Sequence, residues 1–331
     1  MAIVSTFRLP VQIGNFREIY VDIKDETEGQ KVVSHPKAQN LAKEILLVIE
    51  ELKKDRTFIN YFTELSTFEP GLRNIRVLVN IEYLGETSAA VVRVLRSGMQ
   101  IVLNEKVCFM YFDENYQVDR TIVHEVTHFL HRAENPQFDK RIDSIRKWAA
   151  KRAKTEGKEA EIMEERIMSP KFDTDYETLV KFFTYFLYHL VSEGIAWYAG
   201  ECERKVTHKD YALALKGVDE MKRLREEYVE FEKTGNMGYA KVGQHLFDKL
   251  IGDYVYYIGA HMVDTIISSG LAGLDVLVRI NENQFVLLYE EACARKGVSP
   301  LISLQRGNEI TSAFDFNYTL KKLFQARKSK Q

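Results

Sequence analysis

TIVHEVTHFLH, at 121–131, lies in a run whose apolar residues Val118, Ile122, Val126 and Phe129 or Leu130 recur at spacings of three and four. That period is the signature of an amphipathic helix. On such a helix His124 and His128 stand one turn apart and present their imidazoles on one face, a ready-made pair of metal ligands. Glu125, next to the first of them, can reach a water at the metal without binding the metal, as a general base must. Two surface histidines on an ordinary helix are the bland alternative. Against it weighs the coincidence of HExxH with an apolar stripe, directly behind a β-rich region.

That β-rich region comprises IRVLVNIEYL at 75–84, AAVVRVLR at 89–96 and MQIVLNEKV at 99–107, separated by Gly85 and by the Ser97-Gly98 turn signal. The three runs read as a small sheet. Upstream, 1–70 reads as a mixed α/β segment, a candidate separate lobe, with a strand-like piece at 19–23 and a helix over 37–62 on which Leu41, Ile45, Val48 and Leu52 repeat. Downstream, 135–170 is dominated by Lys, Arg and Glu and reads as a charged helical insertion. Helices are expected over 173–203, 208–233, 240–268 and 283–296, and a basic tail from Tyr318. The expected fold class is α+β, mostly helical, with a small mixed sheet packed on the HExxH helix and a large helical C-terminal part. The principal domain spans 71–331.

A catalytic zinc typically takes three protein ligands, so two imidazoles are one short. His131 and Glu134 occupy the places where a metzincin-like site would carry Gly and His, which argues against that arrangement. Glu193, in VSEGIAWYAG near the end of an apolar run, is the stronger candidate, because a lone carboxylate there is costly without a strong partner. Glu134 and His189 are the alternates. His189, one turn before Glu193, reads as a ligand, as a group behind the ligands or facing substrate, or as an ordinary core histidine.

HEVTH followed by a helix carrying SEGIAWY resembles the gluzincin superfamily of zinc peptidases, and YYIGA at 256–260 resembles the YxxGA segment of its aminopeptidase-type members. The resemblance spans about 99–264. It implies a zincin-like domain, one Zn2+ per chain held by His124, His128 and Glu193, Glu125 as catalytic base, and Tyr256 as the hydroxyl that stabilises the oxyanion, with Tyr254 and Tyr257 as alternates. It further implies a peptide or protein substrate bound along an edge strand near 99–107. Two departures are plain. The connection at 129–192 is longer than in the aminopeptidase-type members, and Gly98-Met99-Gln100 lacks the Glu of their GxMEN segment. Aminopeptidase specificity is therefore not implied.

Composition narrows the field. The 46 basic and 48 acidic side chains leave a net charge of −2, without the basic excess of a nucleic-acid binder. The apolar stretches 179–200 and 250–278 contain Lys181, Glu193, Asp253 and Asp264, so neither is expected to span a membrane. The opening MAIVSTFRLPVQIGNF lacks a basic segment followed by an apolar run, and Cys108, Cys202 and Cys293 form no CxxC pair. A cytoplasmic location with reduced thiols is expected. The expected function is zinc-dependent hydrolysis of peptide bonds. The alternatives are a zinc hydrolase of a non-peptide amide or ester, and a non-catalytic interaction protein with a relic zinc site.

Overall fold

A computed structural model describes 7–11, 19–23, 31–52 apart from residue 33, 76–82, 89–95, 98–114, 116–137, 176–200, 206–236, 249–304 and 314–315, with a few isolated positions between. Among these residues the chain is mostly helical, with a small mixed sheet. It divides into two compact units, 1–133 with 199–202, and 134–198 with 203–331.

The first unit holds strands β1 (Phe7–Val11), β2 (Ile19–Ile23), β3 (Arg76–Glu82), β4 (Ala90–Leu95) and β5 (Gly98–Asn104), in the order β1-β2-β3-β5-β4. Strands β2, β3 and β5 are parallel, while β1 and β4 run antiparallel to their neighbours. Helices α1 (Ala38–Leu52), α2 (Glu105–Glu114) and α3 (Val118–Glu134) complete it. Leu41 and Ile45 of α1, Ile81, Val92 and Ile101 of the sheet, and the α3 stripe share one buried core. All five stripe residues read from the sequence, Val118, Ile122, Val126, Phe129 and Leu130, are inside it.

Three expectations need correction here. The described part of the first 70 residues is not set apart: β2 pairs with β3, and α1 shares the core of β3, β5 and α3. The strand expected over 99–107 ends at Asn104, whose side-chain oxygen accepts from the Lys106 amide, while Glu105 stands in the first turn of α2. An Asn followed by an acidic residue begins a helix, which halts the strand. Finally, β5 is no edge. It pairs with β3 on one side and β4 on the other, so among the described residues the outer strand on that side is β4.

The register of β4 fixes what that outer side offers. The Asn104 amide donates to the Ala89 carbonyl at 2.8 Å, which makes Ala89 and Asn104 a hydrogen-bonded pair. Such pairs alternate in an antiparallel ladder, so Ala90, Val92 and Val94 turn their peptide groups away from β5. Arg132 of α3 donates to the Val92 carbonyl at 3.4 Å, linking the helix to this edge.

The second unit is built from α4 (Tyr176–Gly200), α5 (His208–Thr234), a π-helical turn (Leu250–Tyr254) that runs into α6 (Val255–Ser268), the short α7 (Leu274–Leu277) and α8 (Glu282–Lys296). Two short parallel strands, β6 (Ile302–Ser303) and β7 (Phe314–Asp315), follow. Capping boxes at Thr207 and Asn281 start α5 and α8, each satisfying backbone amides the helix leaves open. Of the expected helix over 240–268, the part from Leu250 is a π turn that runs into α6, while most of 240–248 and of the charged insertion, and the basic tail, lie outside the described residues. No helix among the described residues is long and apolar enough to cross a membrane.

Helices α4 and α6 cross at a point with no side chain on either partner. A Cβ on Gly259 would fall on the Leu190 carbonyl oxygen and within 2.6 Å of Gly194 Cα, and one on Gly194 would lie 2.9 Å from the Gly259 carbonyl oxygen. Backbone on both sides leaves nothing that can rotate aside. Gly259→Ala should therefore destabilise the protein by about 3 kcal/mol, the upper end of the range for overpacking, read as a lowered urea midpoint. A loss under about 0.5 kcal/mol, the size of a neutral surface change, would show that the helices do not cross this closely.

Candidate metal centre

Helix α3 supplies the first two candidate ligands. The stripe on the opposite side pins α3 to the sheet, which leaves His124 half-buried and His128 at 7 % exposure. Their Nε2 atoms face each other at 2.9 Å, with the rings at 84° to one another. Two ring nitrogens turned toward a common point is the arrangement a shared cation requires. With Zn–N bonds of about 2.0–2.1 Å in a tetrahedral site, two such nitrogens stand about 3.3 Å apart, so a slight opening of the pair admits the ion. Glu125 is also only 7 % exposed, an expensive place for a carboxylate without a polar role. Thr127 spends its hydroxyl on the Val123 carbonyl at 2.7 Å, inside the helix, and leaves the ligand face to the histidines.

Glu193 comes from α4, a continuous helix whose last two residues, Ala199 and Gly200, cluster with the first unit. At Gly200 a Cβ would lie 3.0 Å from the Arg120 carbonyl oxygen and 3.6 Å from His124 Cβ, so the absence of a side chain there lets the backbone at Gly200 lie beside the first histidine. Glu193 is two turns earlier on that helix. Its carboxylate and the two imidazoles have ligand atoms within 4.8 Å of one another, and among the described residues this is the three-residue group that could hold a metal ion. Glu134 and His189, the alternates for the third position, are outside it.

The tyrosines are sorted by their neighbours. Tyr254 sits in the π turn, 4 % exposed, with its Cβ over Gly217 of α5. Tyr256 and Tyr257 are half-buried, and both rings touch Trp197, with centroids at 5.7 and 5.6 Å. Trp197 stands one turn beyond Glu193 on α4. The Tyr257 phenol is raised above its ordinary pKa, chiefly by burial and then by Asp210 and Asp253, and so stays a hydrogen-bond donor at neutral pH. Three features escaped the sequence reading: Trp197, the Arg132 link to β4, and the glycine crossing. Each had a signal, since Trp197 lies four residues after Glu193 and Arg132 four after His128, while both crossing glycines belong to the quoted motifs. Their partners, however, are remote in sequence.

Comparison with protein-family models, with curated proteins and with solved structures finds no match for this chain. Two imidazoles and one carboxylate form a borderline-soft donor set that suits zinc, whereas magnesium and calcium prefer oxygen alone. Three ligands also leave a fourth position open, as catalytic zinc sites do. Purified protein should carry about one zinc per chain by elemental analysis, and Glu193→Ala should weaken zinc binding by more than ~100-fold, beyond the roughly 10–100-fold that loss of an outer-shell partner costs. Unchanged affinity in that variant would move the third ligand elsewhere.

Proposed function

We propose that this chain is a zinc-dependent metallopeptidase of the gluzincin type that hydrolyses peptide bonds with Glu125 as general base. The observation that carries the reading is the convergence of His124, His128 and Glu193 to within 4.8 Å, with buried Glu125 adjacent to the first ligand. When bound, zinc supplies Lewis acidity, bringing the pKa of a water toward ~7 and polarising a carbonyl oxygen.

The chain's own groups do the rest. Glu125 accepts the proton of the attacking water and returns it to the departing amine, a task suited to a carboxylate held beside the ligands and shielded from solvent. Tyr256 directs its hydroxyl at the carbonyl oxygen as negative charge gathers there. Its contact with Trp197, one turn beyond Glu193, supports this role. An extended substrate adds alongside β4, where the outward peptide groups of Ala90, Val92 and Val94 are available for strand addition. At Val92 the incoming strand would exchange the Arg132 bond for its own. A mixed sheet whose outer antiparallel strand lies near the HExxH helix supports a zincin-like architecture. The companion proposal of a cytoplasmic location is supported by the free, buried thiols of Cys108 and Cys293.

Glu125→Gln separates proton transfer from metal binding, because the amide keeps the shape of the side chain and cannot take a proton. Turnover of a quenched peptide library should fall by about 10²–10⁴-fold, the usual contribution of general-base catalysis, while zinc content stays at the wild-type level. Full activity in this variant would sink the mechanism. Activity on esters with none on peptides would turn the reading to a non-peptide hydrolase.

A further inference from the structure

We propose that His189 is a positioning residue that holds Glu193 in the orientation a metal ligand needs; the inference rests on the zinc reading above. His189 precedes Glu193 by one turn of α4, and its Nδ1 faces the Glu193 Oε1 at 3.8 Å. Both side chains are largely withdrawn from water, at 15 and 16 % exposure. The imidazole is not free to choose this direction. It packs against Tyr185, with ring centroids 4.3 Å apart at 62°, and edge-on against Tyr188 at 5.2 Å and 86°. Both tyrosines are buried, at 5 and 2 % exposure, so they form a fixed wall that sets the plane of the ring.

A separation of 3.8 Å is ion-pair range and longer than a hydrogen bond, whose N–H···O distance is about 2.7–3.2 Å. Less than 1 Å of movement by the carboxylate closes the gap. A carboxylate that ligates a metal through one oxygen leaves the other to be fixed by a donor, and such outer partners govern how well the ligand is presented. His189 meets the electrostatic requirement better than a longer basic residue would. A neutral imidazole with its proton on Nδ1 donates one hydrogen bond and brings no positive charge, whereas Lys or Arg would set a permanent cation against the metal. A direct ligand role fits less well, because His189 is not in the converging group and its Nδ1 lies 3.8 Å from the Glu193 carboxylate.

The test uses the full chain and zinc alone, with affinity measured by competition against a chromogenic chelator. Three variants separate the nitrogen from the ring. His189→Ala removes both, His189→Phe keeps the packing on Tyr185 and Tyr188 but has no donor, and His189→Asn restores a donor near Nδ1 without the ring. His189→Ala and His189→Phe should each bind zinc about 10–100-fold more weakly than wild type, with His189→Asn closer to wild type than either. A packing role predicts the opposite order, with Phe near wild type and Asn impaired, and that order would overturn the proposal. So would loss of zinc in His189→Ala as complete as in Glu193→Ala, which would make His189 a ligand. Absence of zinc from wild type is a different failure, that of the metal reading itself. Circular dichroism of each variant checks that the helices persist, and His189→Phe keeps the test decisive if His189→Ala does not fold.

Discussion

The close crossing of α4 and α6 at Gly194 and Gly259 is the packing constraint that fixes how the helix carrying Glu193 lies within the second unit. Glycine is required at both positions because each helix uses the other's backbone as its contact surface. Gly194 directly follows Glu193, and Gly259 lies one turn after Tyr256. The same contact therefore sets the height of the carboxylate on one helix against the height of the tyrosine on the other. Trp197, one turn further along α4, then fills the space beside the crossing and meets both Tyr256 and Tyr257. The π turn before α6 belongs to this arrangement as well, since an extra residue in one turn rotates everything after it relative to everything before it.

The polar residues of the site lie in places that would otherwise be apolar. Glu125, His128 and His131 are buried on α3 alongside the stripe that anchors it, and Ser192 and Glu193 interrupt a helix of aromatic and aliphatic side chains. Burying such groups costs stability unless they are engaged, and each of these residues does have an interaction partner. Their concentration on two helices is the kind of local conflict with packing that marks functional sites. Small residues reappear where these helices meet their neighbours, as Gly200 shows beside Arg120 and His124.

Much of the architecture was legible locally. The α3 stripe, the strand at 19–23, three further strands and helices α4, α5 and α8 appear close to where periodicity puts them, because each has an apolar face to bury. The helix α2 was hidden in an apparent strand, since KVCFMYF carries no clean helical stripe and only the cap at Asn104 betrays the change. The membership of β1 and β2 in the sheet was not legible either. Pairing of β2 with β3 joins residues far apart in the chain through backbone groups, which every residue possesses.

By itself the sequence singled out the candidate residues. The i, i+4 spacing of His124 and His128 is a property of one helix, and the cost of a carboxylate in the apolar run around Glu193 is a property of one segment. Tertiary structure alone decided what those residues meet. Among the described residues it grouped Glu193, and not Glu134 or His189, with the histidines, made β4 and not β5 the outer strand, and placed His189 Nδ1 3.8 Å from the carboxylate with its ring against Tyr185 and Tyr188. The physical reason is that side-chain type and local spacing are written along the chain, whereas the approach of two helices depends on the shapes of both. Here that approach is set by glycines whose significance appears only when their partners stand opposite them.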